Sequence, residues 1–251
     1  MVGETITLEY KMLEGETLRY KTEVISEQTI KEDGKPPESG RSVLEMTMIQ
    51  AVKGVSPDGL MTVDVTIQEG TISKDNQTAP LPSVGQTIQI VMKKNGDIVR
   101  TSVEFPFSQP AFPENQLKVN DNWTGESKME IPLYDNEGNP AGKKDVTLHY
   151  TYTLGGFEHV SGYDTAVIKV SCPSTTIQLQ EGVEQKINAT GTTNFGYRQG
   201  RLVASKVETS TEITAPGTTV STRIRVNVVL LEASGGSGGG FSGPEEQFII
   251  R

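Results

Sequence analysis

Gly96-Asp97-Ile98-Val99-Arg100-Thr101-Ser102-Val103-Glu104 recurs without a gap, 104 positions later, as Gly200-Arg201-Leu202-Val203-Ala204-Ser205-Lys206-Val207-Glu208. Both copies read as a strand entered from a turn glycine. Two further anchors keep the same order. The turn Val55-Ser56-Pro57-Asp58-Gly59 matches Glu158-His159-Val160-Ser161-Gly162 at an offset of 103, and Glu14-Gly15-Glu16-Thr17-Leu18 matches Val119-Asn120-Asp121-Asn122-Trp123 at 105. Ordered anchors at near-constant spacing imply an internal duplication. The expected fold is all-β: two related antiparallel β units with curved sheets, as a half-barrel or sandwich, and almost no helix. The implied divisions are residues 1–104 for the first repeat, 105–118 for a Pro/Phe-rich connection, 119–232 for the second repeat, and 233–251 for a Gly/Ser linker with a C-terminal segment.

Outward from these anchors the chain keeps a period of two. Ile6, Leu8 and Tyr10 alternate with Thr7 and Glu9, which predicts a half-buried strand over 5–10. Leu44, Met46 and Met48 share one face of a strand over 43–52. Val146, Leu148, Tyr150 and Tyr152 do the same over 145–154, and Ile224, Val226, Val228 and Leu230 over 218–231. Asn95-Gly96 between two such runs predicts a two-residue type I′ hairpin, where both central residues need positive φ. Pro106, Pro110 and Pro113, set among Phe105, Phe107 and Phe112, delete ladder donors, so this stretch is a connection rather than a central strand. No stretch holds a helical period over three turns.

Composition narrows the function. The chain has 251 residues, a net charge of −9 and an isoelectric point near 4.9, without a basic run that would face a polyanion, so nucleic acid is not an expected partner. Cys172 is the only cysteine, which excludes an intramolecular disulfide and a thiolate cluster within one chain; in its Val-Ile-Lys-Val-Ser-Cys run it reads as an inert strand thiol. There is no apolar stretch of the roughly 20 residues a membrane helix needs. The chain enters its first expected strand at Thr5 with no secretory signal in front of it.

No catalytic constellation emerges. His149 lies on the polar side of its strand and His159 at a turn, and neither has the further ligands of a zinc site. Asn120-Asp121-Asn122 and Asp135-Asn136-Glu137-Gly138 are oxygen-rich, yet they lack the spacing of a calcium loop and read as turns. Neither catalytic residues, metal ligands nor a cofactor are expected. Trp123, aligned with Leu18, is expected in the core. Leu44, Met46, Met48, Met61 and Met92 make the first half methionine-rich, and such residues adapt to varied apolar ligands; they are the candidate ligand-binding set, on the concave side of a curved sheet. Phe248, Ile249 and Ile250, beyond the glycine-rich spacer, are a candidate partner-binding segment that could add a strand to a sheet edge.

Several stretches resemble a family of uncharacterised, β-rich bacterial cell-envelope proteins, often lipoproteins. They are Leu8-Glu9-Tyr10-Lys11 with Gly15-Glu16-Thr17-Leu18-Arg19-Tyr20, Val119-Asn120-Asp121-Asn122-Trp123-Thr124, and Tyr152-Thr153-Leu154-Gly155-Gly156-Phe157-Glu158-His159-Val160-Ser161-Gly162-Tyr163. The resemblance spans about residues 5–232. It implies export to the envelope or beyond and supplies no catalytic residues. The resulting expectation is a non-enzymatic envelope or surface protein holding an apolar or lipid ligand in a curved-sheet cavity. The alternatives are a structural subunit that self-associates through edge strands or residues 241–251, and a carboxylate-dependent hydrolase.

Overall fold

The computed structural model describes residues 5–75, 77–102, 110–134 and 140–235. Their regular structure is entirely β. Twelve strands follow in chain order: β1 Thr17–Glu32, β2 Glu38–Val55, β3 Met61–Lys74, β4 Gln77–Pro80, β5 Thr87–Met92, β6 Ile98–Thr101, β7 Asn122–Tyr134, β8 Pro140–Val160, β9 Tyr163–Gln180, β10 Val183–Gly196, β11 Arg201–Ala215 and β12 Thr218–Ser234. They form one antiparallel sheet in the order β6-β5-β3-β2-β1-β12-β11-β10-β9-β8-β7, with β4 on the far part of β3. The first and last long strands therefore meet at its centre, paired from Thr17 opposite Ser234 to Glu32 opposite Thr218 with one register shift between Arg19 and Tyr20.

Glycines at the turns set how the strands are joined. Ser161 and Gly162 both take positive φ, +49° and +81°, and join Val160 to its partner Tyr163, the geometry of a primed two-residue turn. The turn at Asn95-Gly96 differs from the type I′ expectation. Asn95 is not left-handed; only Gly96 is, at φ +93°. The Gly96 amide donates to the Lys93 carbonyl at 3.0 Å and the Lys93 amide to Asp97 at 2.9 Å, so the connection is one residue longer and Gly96 closes it. The Asn95 side chain instead accepts the Asp97 amide at 3.1 Å.

Gly96 and Gly200, which the sequence alignment pairs, are also crossing points. A Cβ on Gly96 would stand 2.7 Å from the Pro110 carbonyl oxygen and from the Tyr10 ring; one on Gly200 would stand 2.4 Å from the Lys11 amide nitrogen. Two extended segments, 6–12 and 110–117, cross the sheet here. They are tied to it by Tyr10 N–H to Lys94 O (2.7 Å), Lys11 N–H to Gly200 O (3.0 Å) and Phe112 N–H to Asn95 O (2.7 Å). This corrects the strand expected over residues 5–10. Its alternation is real, since Ile6, Leu8, Tyr10 and Met12 are all buried. Its amides, however, go to turn carbonyls, and it touches a ladder only through the Ile6–Leu117 bridge.

These two segments plug one end of the sheet. Phe112 packs edge-on to Phe195 at 4.7 Å and against Tyr10 at 5.4 Å, and Trp123 stacks on Tyr152 at 5.5 Å. Met61 and Met92 from one wing and Trp123 and Leu154 from the other belong to the same packed cluster, so both wings curve toward the plug and the face that carries it is concave. The Glu16 carboxylate, buried in the loop before β1, pairs with Arg201 at 2.6 Å and accepts the Leu13 amide at 3.1 Å. That pair fastens the start of β1 to the start of β11.

Candidate functional site

Strand periodicity carries the concave face beyond the plug. On β1 it continues from Leu18, Tyr20 and Thr22 through Val24, Ser26 and Gln28 to Ile30. The register sets Val226, Ile224 and Val220 of β12 beside these residues on one flank and Leu44 of β2 on the other. Val207 and Ile213 of β11 extend the row, opposite Val226 and Val220. Leu18, Tyr20 and Thr22 are fully buried under the plug, whereas Val24, Ile30, Leu44, Val207, Ile213, Val220, Ile224 and Val226 are half-buried. No second sheet and no helix lies over them among the described residues. Eight residue steps from Thr22 to Ile30 make this open trough about 26 Å long, and four strands make it about 14 Å wide, an area on the order of 400 Å². About half of the positions on that floor are apolar, the rest being Ser, Thr, Gln and Gly.

The convex face of the same strands is a water face. Arg225 donates to Glu27 at 2.6 Å and Asn227 to Glu23 at 2.9 Å; Arg223 pairs with Glu208 at 3.4 Å and Lys21 with Glu45 at 3.2 Å. Charged residues thus concentrate on one side of β1, β2, β11 and β12, with Ile25, Val43 and Val229 among them, while the other side of β1, β11 and β12 carries Val, Ile, Ser and Thr and no charge from Leu18 to Ile30. A single sheet wetted equally on both sides would have no reason to sort them this way. On β8 to β10 the concave side closes on itself: Val146, Leu148, Cys172, Ile177, Ile187 and Ala189 form a second buried cluster bordering the trough.

The residues singled out from sequence fall in different places. Met46, Met48, Met61 and Met92 are buried together in the main cluster under the plug, and Leu44 stands at its border with the trough. Phe248, Ile249 and Ile250, and residues 241–251 as a whole, lie outside the described residues, as do Phe105 and Phe107. Trp123 is in the core, its indole N–H donating to the Ala111 carbonyl at 2.8 Å. Cys172 is buried, and loss of water pushes its thiol pKa up, away from a reactive thiolate. His149 faces Glu126 at 3.4 Å and His159 faces Asp164 at 3.1 Å, both exposed. Asp121 serves as a turn former, accepting the Lys118 amide at 2.8 Å. Among the described residues no three His, Cys, Asp or Glu side chains gather as metal ligands. Burial pushes Tyr152 up to about 12 and raises Tyr10 and Tyr20 further, so these phenols stay neutral as parts of the core.

A separate cleft of about 360 Å³ lies at the plug end. Its walls include Glu9, Asp58, Lys93, Lys94 and Glu114, both signs mixed. Lys93 reaches Asp97 at 3.8 Å, and the Lys94 stem lies across Gly59. It is shaped by turns, not by convergent groups.

Sequence reasoning missed Val24, Ile30, Val207, Ile213 and Val220 as surface residues. Their only signal is alternation that runs further along the strands than the plug can cover.

No protein-family model and no curated protein matches the chain. Among solved structures, lipovitellin, described for its lipid–protein interactions, superposes with a TM-score of 0.50 at 10% identity, over 94% of this chain and 27% of that one. This chain therefore spans about a quarter of lipovitellin's length, and the likeness is one of fold. A second match is DynF from the dynemicin biosynthesis pathway of Micromonospora chersina. It has a TM-score of 0.25 at 7% identity over 91% of this chain and 85% of that one, a score at which it carries no argument.

Proposed function

We propose that this protein is a non-enzymatic carrier of apolar ligands and that the concave trough between the plug and the distal hairpins is where the ligand lies. The observation that carries the reading is the sorting of side chains on β1, β2, β11 and β12, with ion pairs outside and uncovered Val, Ile and Leu inside. About half of the trough's footprint is apolar, and leaving on the order of 200 Å² of apolar surface in water forgoes about 25 cal/mol for each Å², which a bound ligand would recover. Likeness in fold to lipovitellin, a protein described for lipid–protein interactions, agrees with it. The resemblance of residues 5–232 to envelope proteins is the support for proposing that such a carrier works in the cell envelope or outside the cell. Equivalent crossing points at Gly96 and Gly200 support its origin by tandem duplication.

A second reading follows from β7, a 13-residue strand at the end of the sheet with one edge unpaired among the described residues. That edge could template self-association.

The test is native mass spectrometry of the chain purified from its producing cells without detergent, together with titration of an uncharged, polarity-sensitive fluorophore. Co-purifying apolar mass that the fluorophore displaces supports the carrier. A fluorophore that finds no saturable site on the monomer defeats it.

A further inference from the structure

We infer that the trough selects uncharged lipids and rejects anionic ones of the same chain length. This rests on the carrier reading above and adds the chemical class. Along the concave side of β1, from Leu18 to Ile30, no residue is ionisable in the physiological range; the same holds for the facing runs on β11 and β12, from Val203 to Ala215 and from Thr218 to Leu230. What polarity the trough has comes from neutral hydroxyls and one amide, at Ser26, Gln28, Ser42, Thr209, Thr211 and Thr222. Ser and Thr can donate to an ester or alcohol oxygen but cannot neutralise a carboxylate or phosphate. An ionised head buried there has no countercharge, and burying a charge unpaired is far costlier than burying a hydrogen-bonded hydroxyl.

Neither end of the trough offers a better berth. One end is sealed by the plug aromatics. At the other, the first charges on the concave side of the central strands are Glu32 and Glu38, both exposed. Glu32 is paired with Lys35, so the repulsion of an anionic head left at the mouth comes from Glu38, and the net charge of −9 acts in the same direction. The concave-side cations of the second half are committed: Arg201, at the plug end of β11, to the buried Glu16 carboxylate, and Lys144, on β8, to the Gln178 carbonyl.

The experiment is competition for the fluorophore site on the full chain by cetyl alcohol and by palmitate, equal in chain length, below micelle formation and at mildly alkaline pH. Cetyl alcohol is expected to bind at least about tenfold more tightly. Palmitate binding equally well or better overturns the inference while leaving the carrier intact. Failure of both ligands, with the fluorophore also unbound, sinks the carrier reading itself. Val220→Lys sets an ammonium in the outermost apolar row, away from the packed core. It should raise palmitate to the level of the alcohol, and an unchanged ratio in a folded variant would place the discrimination elsewhere and overturn the inference.

Discussion

Val226 sits mid-trough, between Val24 on β1 and Val207 on β11, where a single substitution reaches the bound ligand. Replacing it with glutamate puts a carboxyl group under the bound ligand. Lost apolar contact is the smaller part, because Val226 is already half-buried in the free protein. The larger part has a ceiling set by proton binding. A carboxylate covered by ligand can always escape by taking a proton. From an ordinary glutamate pKa of about 4.3, doing so at pH 7 costs about 2.7 pH units, or about 3.7 kcal/mol. Affinity for an uncharged ligand at pH 7 should therefore fall by about 100- to 500-fold. It should recover progressively as the pH drops toward about 4.3, because the free protein then carries the proton already. Stability without ligand should change by no more than about 1 kcal/mol, since no protein layer covers the site. The assay is fluorophore titration across pH, with urea melts of the free variant. Arg225→Ala, one residue along but on the convex face, loses the Glu27 pair and should leave binding unchanged. Wild-type affinity for Val226→Glu at pH 7, or a loss that does not ease on acidification, would refute the reasoning.

Other outcomes follow from the core. Glu16→Gln leaves the Arg201 guanidinium buried against a neutral amide and should cost about 3 kcal/mol or more in urea unfolding, with ligand affinity preserved. Phe195→Ala empties the centre of the plug cluster and should cost about 3 to 5 kcal/mol by the same measurement. Gly200→Ala meets both a positive φ of +64° and the Lys11 amide, so it should destabilise by more than a glycine-to-alanine change in an ordinary strand, visible as a lowered Tm. Tyr152 is held neutral in the fold up to about 12, against about 10 when unfolded. An acid whose pKa is raised on folding keeps its full contribution below pH 10 and loses it as pH climbs from about 10 to 12. Urea stability should be flat to pH 10 and then decline, and tyrosinate absorbance of the native protein should lag that of the unfolded chain.

How much of this was legible in the sequence depends on the range of the interaction. Alternation at Leu44, Met46 and Met48 and at Ile224, Val226 and Val228 gave the strands and their inward faces, because side-chain period is local. Turn glycines at Gly96, Gly162 and Gly200 were legible for the same reason. That β1 pairs with β12 was not: this register joins residues some 200 positions apart, and nothing in either strand alone specifies the partner. The strand expected over 5–10 went wrong because alternation reports a buried face, not which acceptor takes the amides. The methionines were read as a ligand surface, yet the plug packs over them, and the plug is itself a tertiary contact between distant segments. The open face escaped notice because Val and Ile alternate identically whether protein or ligand covers them.

The central claim is that an uncharged ligand lies on the concave side of β1, β11 and β12. Photocrosslinking with a diazirine-bearing analogue of cetyl alcohol, mapped by peptide mass spectrometry, tests it most directly. The account predicts adducts concentrated at Val24, Val207, Ile224 and Val226, suppressed by unlabelled cetyl alcohol. Adducts on the convex face around Glu27 and Arg223, or none that the competitor suppresses, would contradict it.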